Sequence, residues 1–168
     1  MNGREAERRR GLGLLDGAPL TSARLEMVGE AGIGKSALFD LVVTEARARG
    51  FTILQARPSQ AETPLAFAVL GDLLREISDL GSLPPPQARA LEVALGRRSD
   101  DGAPTSTQAL GAGLAALFSG LAAQGLTLLA IDDLQWIDAA SADVLAFALR
   151  RLPATNICLL YTSDAADE

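Results

Sequence analysis

Lys35 is the only lysine in the 168-residue chain, whereas arginine occurs fourteen times. It lies in the octapeptide Gly29-Glu30-Ala31-Gly32-Ile33-Gly34-Lys35-Ser36, which fits the pattern G-x-x-x-x-G-K-[ST] at every position. In this pattern, backbone N–H groups surround phosphate oxygens, the lysine ammonium reaches the outer phosphates, and the hydroxyl binds Mg²⁺. A guanidinium is a poor substitute because it is broad and planar rather than a compact charge. The octapeptide therefore predicts a phosphate-binding loop.

The residues on either side of this loop predict a strand before it and a helix after it. Residues 25–28 form a short apolar run, and residues 37–49 carry apolar side chains at helical spacing until Gly50 ends the pattern. A helix N-terminus at the loop would add its partial positive charge. A chance match to the pattern is the alternative, and this context argues against it. We expect the nucleotide to contact Gly29, Glu30, Ala31, Gly32, Ile33, Gly34, Lys35, Ser36 and Ala37.

A second group of chemically useful residues follows the apolar run at 126–131. Asp132 and Asp133 come directly after this predicted strand. An aspartate at the tip of a strand beside a phosphate loop holds Mg²⁺, directly or through water, so we expect Ser36 and Asp132 to hold the metal. Asp133 is placed to orient an attacking water and is the expected catalytic residue. The alternative is that the two acids only cap the next turn, and the phosphate loop upstream favours the catalytic interpretation.

Together the two motifs resemble the STAND-class AAA-type P-loop ATPase domain of large LuxR-family (MalT-like) transcriptional regulators. The sequence I-D-D-L-Q-W-I-D at 131–138 matches the family block hhhDD-x-[QH]-W-x-D through Gln135, Trp136 and Asp138. Residues 83–96 are also similar to a stretch common between the two motifs in actinobacterial members. The resemblance covers residues 3–157.

This resemblance implies a nucleotide switch that binds ATP or ADP with Mg²⁺ in a cytoplasmic regulator. It implies that DNA is bound by a C-terminal helix-turn-helix domain outside this chain, and that the full-length protein self-associates. Little turnover is expected, because the family places the lid and a further positive charge downstream. One alternative is the same module in a signalling enzyme, such as a nucleotide cyclase or protein kinase. Another is an interaction module without nucleotide, which the intact Lys35, Ser36, Asp132 and Asp133 disfavour.

The order of the remaining segments predicts an α/β fold. We expect a strand at 51–56, a helix over 65–80, a short helix between loops at 84–86 and 99–106, and a helical stripe over 110–121. Asp138 is expected to cap a helix that ends near residue 152. Strands that alternate with helices favour a parallel sheet with ligands at its carboxyl edge. We therefore expect a three-layer P-loop NTPase sandwich that is incomplete at its C-terminus.

Composition excludes several kinds of function. The chain has no histidine, which excludes Ser-His-Asp triads and histidine zinc ligands, and its single cysteine excludes an internal disulfide. Its net charge of −6 argues against a nucleic-acid-binding surface on this chain. Residues 102–131 carry no charge and are long enough to span a bilayer, but four glycines interrupt them. We expect this stretch to lie in a core and not in a membrane.

Residues 158–168 read like an in-frame translation of a transposon-end adapter used in DNA sequencing. We therefore expect an ATPase domain at 1–157 and a non-native tail at 158–168. The only cysteine and the only tyrosine of the chain would then be foreign. The alternative is a genuine fourth strand over 156–161 followed by an acidic tail.

Overall fold

The computed structural model describes residues 3–16, 23–102, 106–152 and 156–165. Within these ranges the helices are α1 (Gly3–Asp16), α2 (Lys35–Ala48), α3 (Ala68–Leu73), α4 (Pro85–Ala94), α5 (Thr107–Gln124) and α6 (Ala139–Leu149). The strands are β1 (Arg24–Gly29), β2 (Thr52–Ala56), β3 (Thr127–Ile131) and β4 (Ile157–Asp164). Short 3₁₀ turns occupy Gln60–Glu62 and Leu134–Trp136.

The four strands form one parallel sheet in the order β1-β4-β3-β2. Leu160 of β4 lies opposite Leu25 on one side and Ala130 on the other. Among the described strands, β4 alone joins β1 to the rest of the sheet. The phosphate loop follows β1 and the acidic pair follows β3, so both lie at the carboxyl edge. The parallel α/β fold predicted from the sequence is confirmed.

Helices cover both faces of this sheet. On one face, α1 and α2 pack with Leu128 and Ala130 of β3 in a buried cluster. On the other, α3, α4, α5 and α6 pack with Leu129 and Ile131 of the same strand. This alternation is the period of two expected of a strand, and it produces the three expected layers.

β4 consists mainly of residues 158–164, which belong to the tail that we expect to be non-native. Its apolar side chains are buried, with Cys158 0% and Leu160 1% exposed. A buried parallel strand needs little more than a short apolar run, so this position is compatible with either origin of the residues. The non-native tail stays a prediction.

The helix expected over 65–80 is much shorter than the sequence pattern indicates. α3 spans only Ala68–Leu73. It begins late because Phe67 has a left-handed backbone with φ 63°. It ends early where the guanidinium of Arg97 donates to the carbonyl oxygens of Leu74, at 2.6 Å, and of Ile77. The Leu74 carbonyl also accepts from the N–H of Ile77 at 3.0 Å, which closes a tight turn after α3.

The loop expected at residues 84–86 is in fact the start of α4. Pro84 is the N-cap, and Pro85 and Pro86 are the first two helical residues. Proline is tolerated there because the first amides of a helix have no intrahelical acceptor and its φ is already helical. The second expected loop is 99–106. Its described residues, 99–102 and 106, belong to no helix or strand, and residues 103–105 lie outside the described part.

The charge-free stretch divides at Gly125 into α5 and β3. Ser106 caps α5 by accepting a hydrogen bond from the N–H of Ala109 at 3.0 Å. Within the described ranges, no helix is both long enough and apolar enough to cross a membrane.

Candidate functional site

The loop between β1 and α2 depends on two glycines with left-handed backbones. Gly32 has φ 82° and Gly34 has φ 100°. A Cβ atom at either position would meet no other atom within 4 Å, so the backbone conformation, and not lack of space, requires glycine. The loop is closed by a hydrogen bond from the N–H of Ile33 to the carbonyl oxygen of Glu30 at 3.3 Å.

α2 begins directly after this loop with no side chain to cap it. Its N-cap is Gly34, and its first turn contains no acidic residue. The first N–H groups of a helix have no intrahelical acceptor, and they carry the partial positive charge of the helix dipole. This end of α2 is therefore suited to bind an anion.

A cavity of about 350 Å³ opens beside the N-terminus of α2. Its lining residues are Ala31, Gly32, Gly34, Lys35, Ser36, Asp133, Gln135, Trp136 and Asp164. The structure thus brings much of the expected phosphate loop together with the expected catalytic residue. Gly29, Glu30, Ile33 and Ala37 of the expected set do not line this cavity.

The ammonium of Lys35 is held by three oxygens. It donates to the carbonyl oxygens of Gly29 at 2.6 Å and Glu30 at 2.8 Å, and to Oδ1 of Asp164 at 2.9 Å. These bonds match its three N–H donors, and only 9% of the side chain is exposed. Two of the three acceptors belong to the loop itself, whereas Asp164 belongs to the tail that we expect to be non-native.

The two neighbouring aspartates have different environments. Asp132 is 3% exposed, and its Oδ1 accepts a hydrogen bond from Oγ1 of Thr162 at 2.5 Å. Asp133 has a left-handed backbone with φ 59°, and its N–H donates to the same Thr162 oxygen at 2.8 Å. Asp133 lines the cavity and Asp132 does not. The structure therefore places the expected catalytic residue on the cavity wall and buries one expected metal ligand.

The expected magnesium ligands are only partly brought together. Ser36 lines the cavity, whereas Asp132 is bonded to Thr162. Across the described part of the chain, no group of three or more His, Cys, Asp or Glu residues could hold a metal ion. The pair of Ser36 and Asp132 stays a prediction.

Gln135 and Trp136 are cavity residues to which the sequence analysis gave no function. The amide nitrogen of Gln135 lies 3.4 Å from Oδ1 of Asp133, to which it donates. Its amide oxygen accepts from the N–H of Asp164 at 3.2 Å. Both residues reach the cavity wall because the 3₁₀ turn over Leu134–Trp136 begins directly after Asp133. A polar residue two positions after an acid at a strand end is the signal that could have identified Gln135.

A second cavity, of about 210 Å³, adjoins the phosphate loop on the side of β1. Its wall combines apolar and charged side chains, namely Leu25, Met27, Val28, Ile33 and Leu38 with Glu7, Arg10, Glu26 and Lys35. Val28 is 56% and Ile33 63% exposed, which is unusual for large apolar side chains. A surface that is partly apolar and partly charged therefore borders the phosphate loop.

The family model described as AAA ATPase domain matches residues 2–160. The chain belongs to the AAA ATPase domain family. The AAA-type part of the resemblance seen in the sequence is thereby confirmed. None of the curated proteins compared with the chain matches it.

Three solved structures show the same fold as this AAA ATPase domain. The Aeropyrum pernix ORC2 protein, solved as ADPNP-ADP complexes, is 24% identical with a TM-score of 0.51, and the match covers 95% of this chain and 39% of that one. The Aeropyrum pernix ORC1 protein in complex with DNA is 15% identical, with a TM-score of 0.52 and coverages of 98% and 40%. Drosophila ORC bound to DNA is 18% identical, with a TM-score of 0.52 and coverages of 99% and 38%. At these identities the likeness concerns the fold alone, and the chain spans about two fifths of each of those chains.

Proposed function

We propose that this AAA ATPase domain binds ATP or ADP with Mg²⁺, and that residues 29–37 hold the phosphates. The observation that carries the proposal is the uncapped N-terminus of α2 at a cavity that Lys35, Ser36 and Asp133 also line. Helix amides, an ammonium and a hydroxyl are the groups that bind a polyphosphate. The similar ORC2 protein was solved as ADPNP-ADP complexes, which supports the same ligand class here.

The residues present fit a phosphate-bound magnesium ion. The hydroxyl of Ser36 and the carboxylates of Asp132 and Asp133 are hard oxygen donors, which Mg²⁺ prefers. Such sites are completed by substrate phosphates and water rather than by protein alone. When bound, the ion would neutralise developing phosphate charge. Asp132 would exchange its bond to Thr162 for the ion or its water shell, while Asp133 orients the attacking water.

The adjoining cavity is our proposed place for the base. The apolar part of its wall includes Val28 and Ile33, whose exposed side chains would be covered by a flat aromatic ring. Lys35 lines both cavities, so phosphates in one and a base in the other would be continuous along the loop. The choice of adenine follows from the resemblance to ATP-binding relatives.

The test is Lys35→Ala, with ATP affinity measured by calorimetry. Loss of hydrogen bonds to a charged group should weaken binding by about 1.5–3 kcal/mol. Helix content should stay the same, because Lys35 is only the first residue of α2 and belongs to neither buried apolar cluster. Arg150→Ala, which removes an exposed cation outside both cavities, is the control and should bind as the wild type does. Equal affinity of the wild type and Lys35→Ala would rule out the phosphate-loop function.

We further propose that the domain is the nucleotide switch of a bacterial LuxR-type regulator in which another domain binds DNA. The I-D-D-L-Q-W-I-D block at 131–138 supports this STAND-class assignment, and the net charge of −6 supports DNA binding elsewhere. A cytoplasmic protein that self-associates is part of the same proposal. Flanking genomic sequence that encodes a helix-turn-helix domain is the expected result. A cyclase or kinase domain there would favour the signalling-enzyme alternative.

We also propose that residues 158–168 are derived from a sequencing adapter and that the native domain sequence continues differently after residue 157. Independent long reads of the source DNA should diverge from this sequence at codon 158. Reads that reproduce Tyr161 to Glu168 inside a continuing gene would refute the proposal.

A further inference from the structure

Asp138 caps two helices that are far apart in the sequence. It is 2% exposed, and its carboxylate accepts hydrogen bonds from the N–H groups of Ser141 at 2.8 Å, Phe67 at 2.9 Å and Val69 at 3.1 Å. Ser141 belongs to α6, for which Asp138 is the N-cap, while Phe67 and Val69 lie at the start of α3. One buried carboxylate therefore joins the beginnings of both helices.

Two further hydrogen bonds extend this junction. Oγ of Ser141 accepts from the N–H of Leu70 at 3.0 Å, and Oγ1 of Thr63 donates to the carbonyl oxygen of Trp136 at 3.3 Å. We call residues 132–138 the acidic segment and residues 63–70 the docking segment. Four hydrogen bonds thus tie the acidic segment and the first turn of α6 to the docking segment. None of them involves the proposed foreign tail.

The acidic segment is held at its two ends, and between them Asp133 and Gln135 also bond Thr162 and Asp164 of β4. Its first end continues from β3, where the N–H of Asp132 donates to the carbonyl oxygen of Ala56 at 3.0 Å. Its other end is Asp138. Asp133, Gln135 and Trp136 between them line the phosphate cavity, and Trp136 also borders a narrow crevice with Val69 and Asp138. β4 supports the segment from one side, and Asp138 is the anchor at its far end, so the location of Asp133 and Gln135 depends on both.

The bonding of Asp138 suits an ionised carboxylate. Burial raises the pKa of Asp138, but the hydrogen bonds from Ser141, Val69 and Phe67 outweigh burial and leave that pKa below its ordinary value. A charged acceptor makes stronger hydrogen bonds than a neutral one, so the ionised form is the better anchor.

We propose that Asp138 is a positioning residue for the nucleotide site. It anchors the acidic segment on the docking segment and so keeps Asp133 and Gln135 in the cavity. The inference rests on the proposed function. The phosphate loop has separate support from β1 and α2, so the change should be confined to the part of binding that requires Mg²⁺.

The test is Asp138→Asn in the whole 168-residue chain, with ADP affinity measured by calorimetry in Mg²⁺ and in EDTA. Asparagine keeps one oxygen acceptor but presents an NH₂ group in place of the second oxygen. Loss of a residue that orients metal ligands typically costs 10–100-fold, so the Mg²⁺-dependent gain in affinity should fall about tenfold. Affinity in EDTA should be unchanged. If Asp138 only stabilised the fold, Asp138→Asn would lower the midpoint of thermal unfolding. The ratio of the ADP affinities in Mg²⁺ and in EDTA, per folded molecule, would then equal that of the wild type.

Asp143→Asn is the matched control, because it makes the same chemical change at an exposed position of α6. Its Mg²⁺-dependent gain should equal that of the wild type. Trp136 is the only tryptophan, so its emission reports directly on the acidic segment. A red shift in Asp138→Asn at unchanged helix content is expected.

Ser141→Ala is the second variant in case Asp138→Asn does not fold. It removes the acceptor of the Leu70 N–H and the side-chain hydrogen bond of Ser141 to Asp138, but it keeps the Asp138 carboxylate and its backbone bonds. It should therefore reduce the Mg²⁺-dependent gain in affinity by a smaller factor than Asp138→Asn. If Asp138→Asn folds and its affinity for ADP gains as much from Mg²⁺ as that of the wild type, the inference is overturned and the proposed function stays intact. The same holds for Ser141→Ala if Asp138→Asn does not fold. Absence of any nucleotide binding by the wild type would overturn the proposed function and the inference with it. Wild-type binding without a Mg²⁺-dependent gain would overturn the inference and the magnesium part of the proposed function, and would leave the phosphate-binding part intact.

Discussion

The two halves of the candidate site are held in place by different kinds of contact. The phosphate loop is supported mainly by its own neighbours, through the bonds from Ile33 to Glu30 and from Lys35 to the carbonyl oxygens of Gly29 and Glu30. The acidic segment is supported by distant residues, because Asp132 bonds Ala56, Asp133 bonds Thr162 and Asp138 bonds Phe67. The first half is a local structure and the second is a product of the whole fold.

Because their supports differ, we expect that a mutation can disorder one half of the site and leave the other in place. A local loop keeps its shape as long as its glycines and its helix are present. The acidic segment keeps its place only if the sheet and the docking segment are both correct. Changes distant from the cavity should therefore disturb Asp133 before they disturb Lys35.

The largest effect is expected from ending the chain at Ile157. This truncation removes the remainder of β4, including buried Cys158, Leu160 and Thr162, and leaves β1 without its described strand partner. Domain stability is typically about 5–15 kcal/mol in total, and losing a central strand should exceed it. Thermal and urea unfolding followed by circular dichroism should lose their cooperative transition.

A chain ending at Ala165 is the control, since it keeps all of β4. It should melt as the 168-residue chain does. A cooperative transition with an unchanged midpoint in the chain ending at Ile157 would contradict the role of β4 as the link between the two halves. The expectation holds whether residues 158–168 are native or foreign, because it concerns the strand that this chain forms.

The same division explains what the sequence could predict. The phosphate loop, α2 and the Asp138 cap are encoded by residues that are close in the chain, so their patterns predict them. The predicted length of α3 was wrong because side chains distant in the sequence bond its two ends: Asp138 at its start and Arg97 just after its end. The positions of Gln135 and Trp136 on the cavity wall, and the place of β4 between β1 and β3, depend on tertiary packing that no local pattern encodes.

The next largest effect separates binding from hydrolysis. Binding needs the phosphate loop, whereas hydrolysis also needs the acidic segment and positive charge placed against the γ-phosphate. Lys35 is the only basic residue among those that line the described phosphate cavity. An arginine finger is typically worth about 10³–10⁵ in rate, so ATP turnover should stay near background.

Turnover is measured as phosphate release at saturating ATP, beside ATP affinity in the same preparation. Asp133→Asn is the matched variant, because it keeps a residue type that tolerates the left-handed backbone at this position. We expect it to bind ATP and to be as slow as the wild type. The expectation would be contradicted if the wild type hydrolysed ATP steadily at about 1 s⁻¹, a rate in the range of ordinary enzymes, and if Asp133→Asn abolished this turnover.

The smallest expected effect is a change in how the free energy of unfolding depends on acidic pH. It tests only the support that Asp138 gives to the acidic segment. Because the pKa of Asp138 lies below its ordinary value in the folded chain, its ionised form stabilises folding at neutral pH. This contribution is complete above the ordinary aspartate pKa of about 3.9 and is lost as the pH falls through the lower folded value. Asp138→Asn cannot titrate there, so its free energy of unfolding should decrease less between about pH 5 and pH 3 than that of the wild type.

Urea unfolding at several pH values across that range measures the difference for the wild type, Asp138→Asn and Asp143→Asn. Asp143 is exposed on the same helix, so its variant should show the acid sensitivity of the wild type. If Asp138→Asn were as sensitive to acid as Asp143→Asn, the carboxylate of Asp138 would not be the charged anchor of the acidic segment. A reduced sensitivity in Asp138→Asn alone would assign that part of the acid response to the carboxylate that bonds Phe67, Val69 and Ser141, because each variant lacks one carboxylate and they differ only in which one.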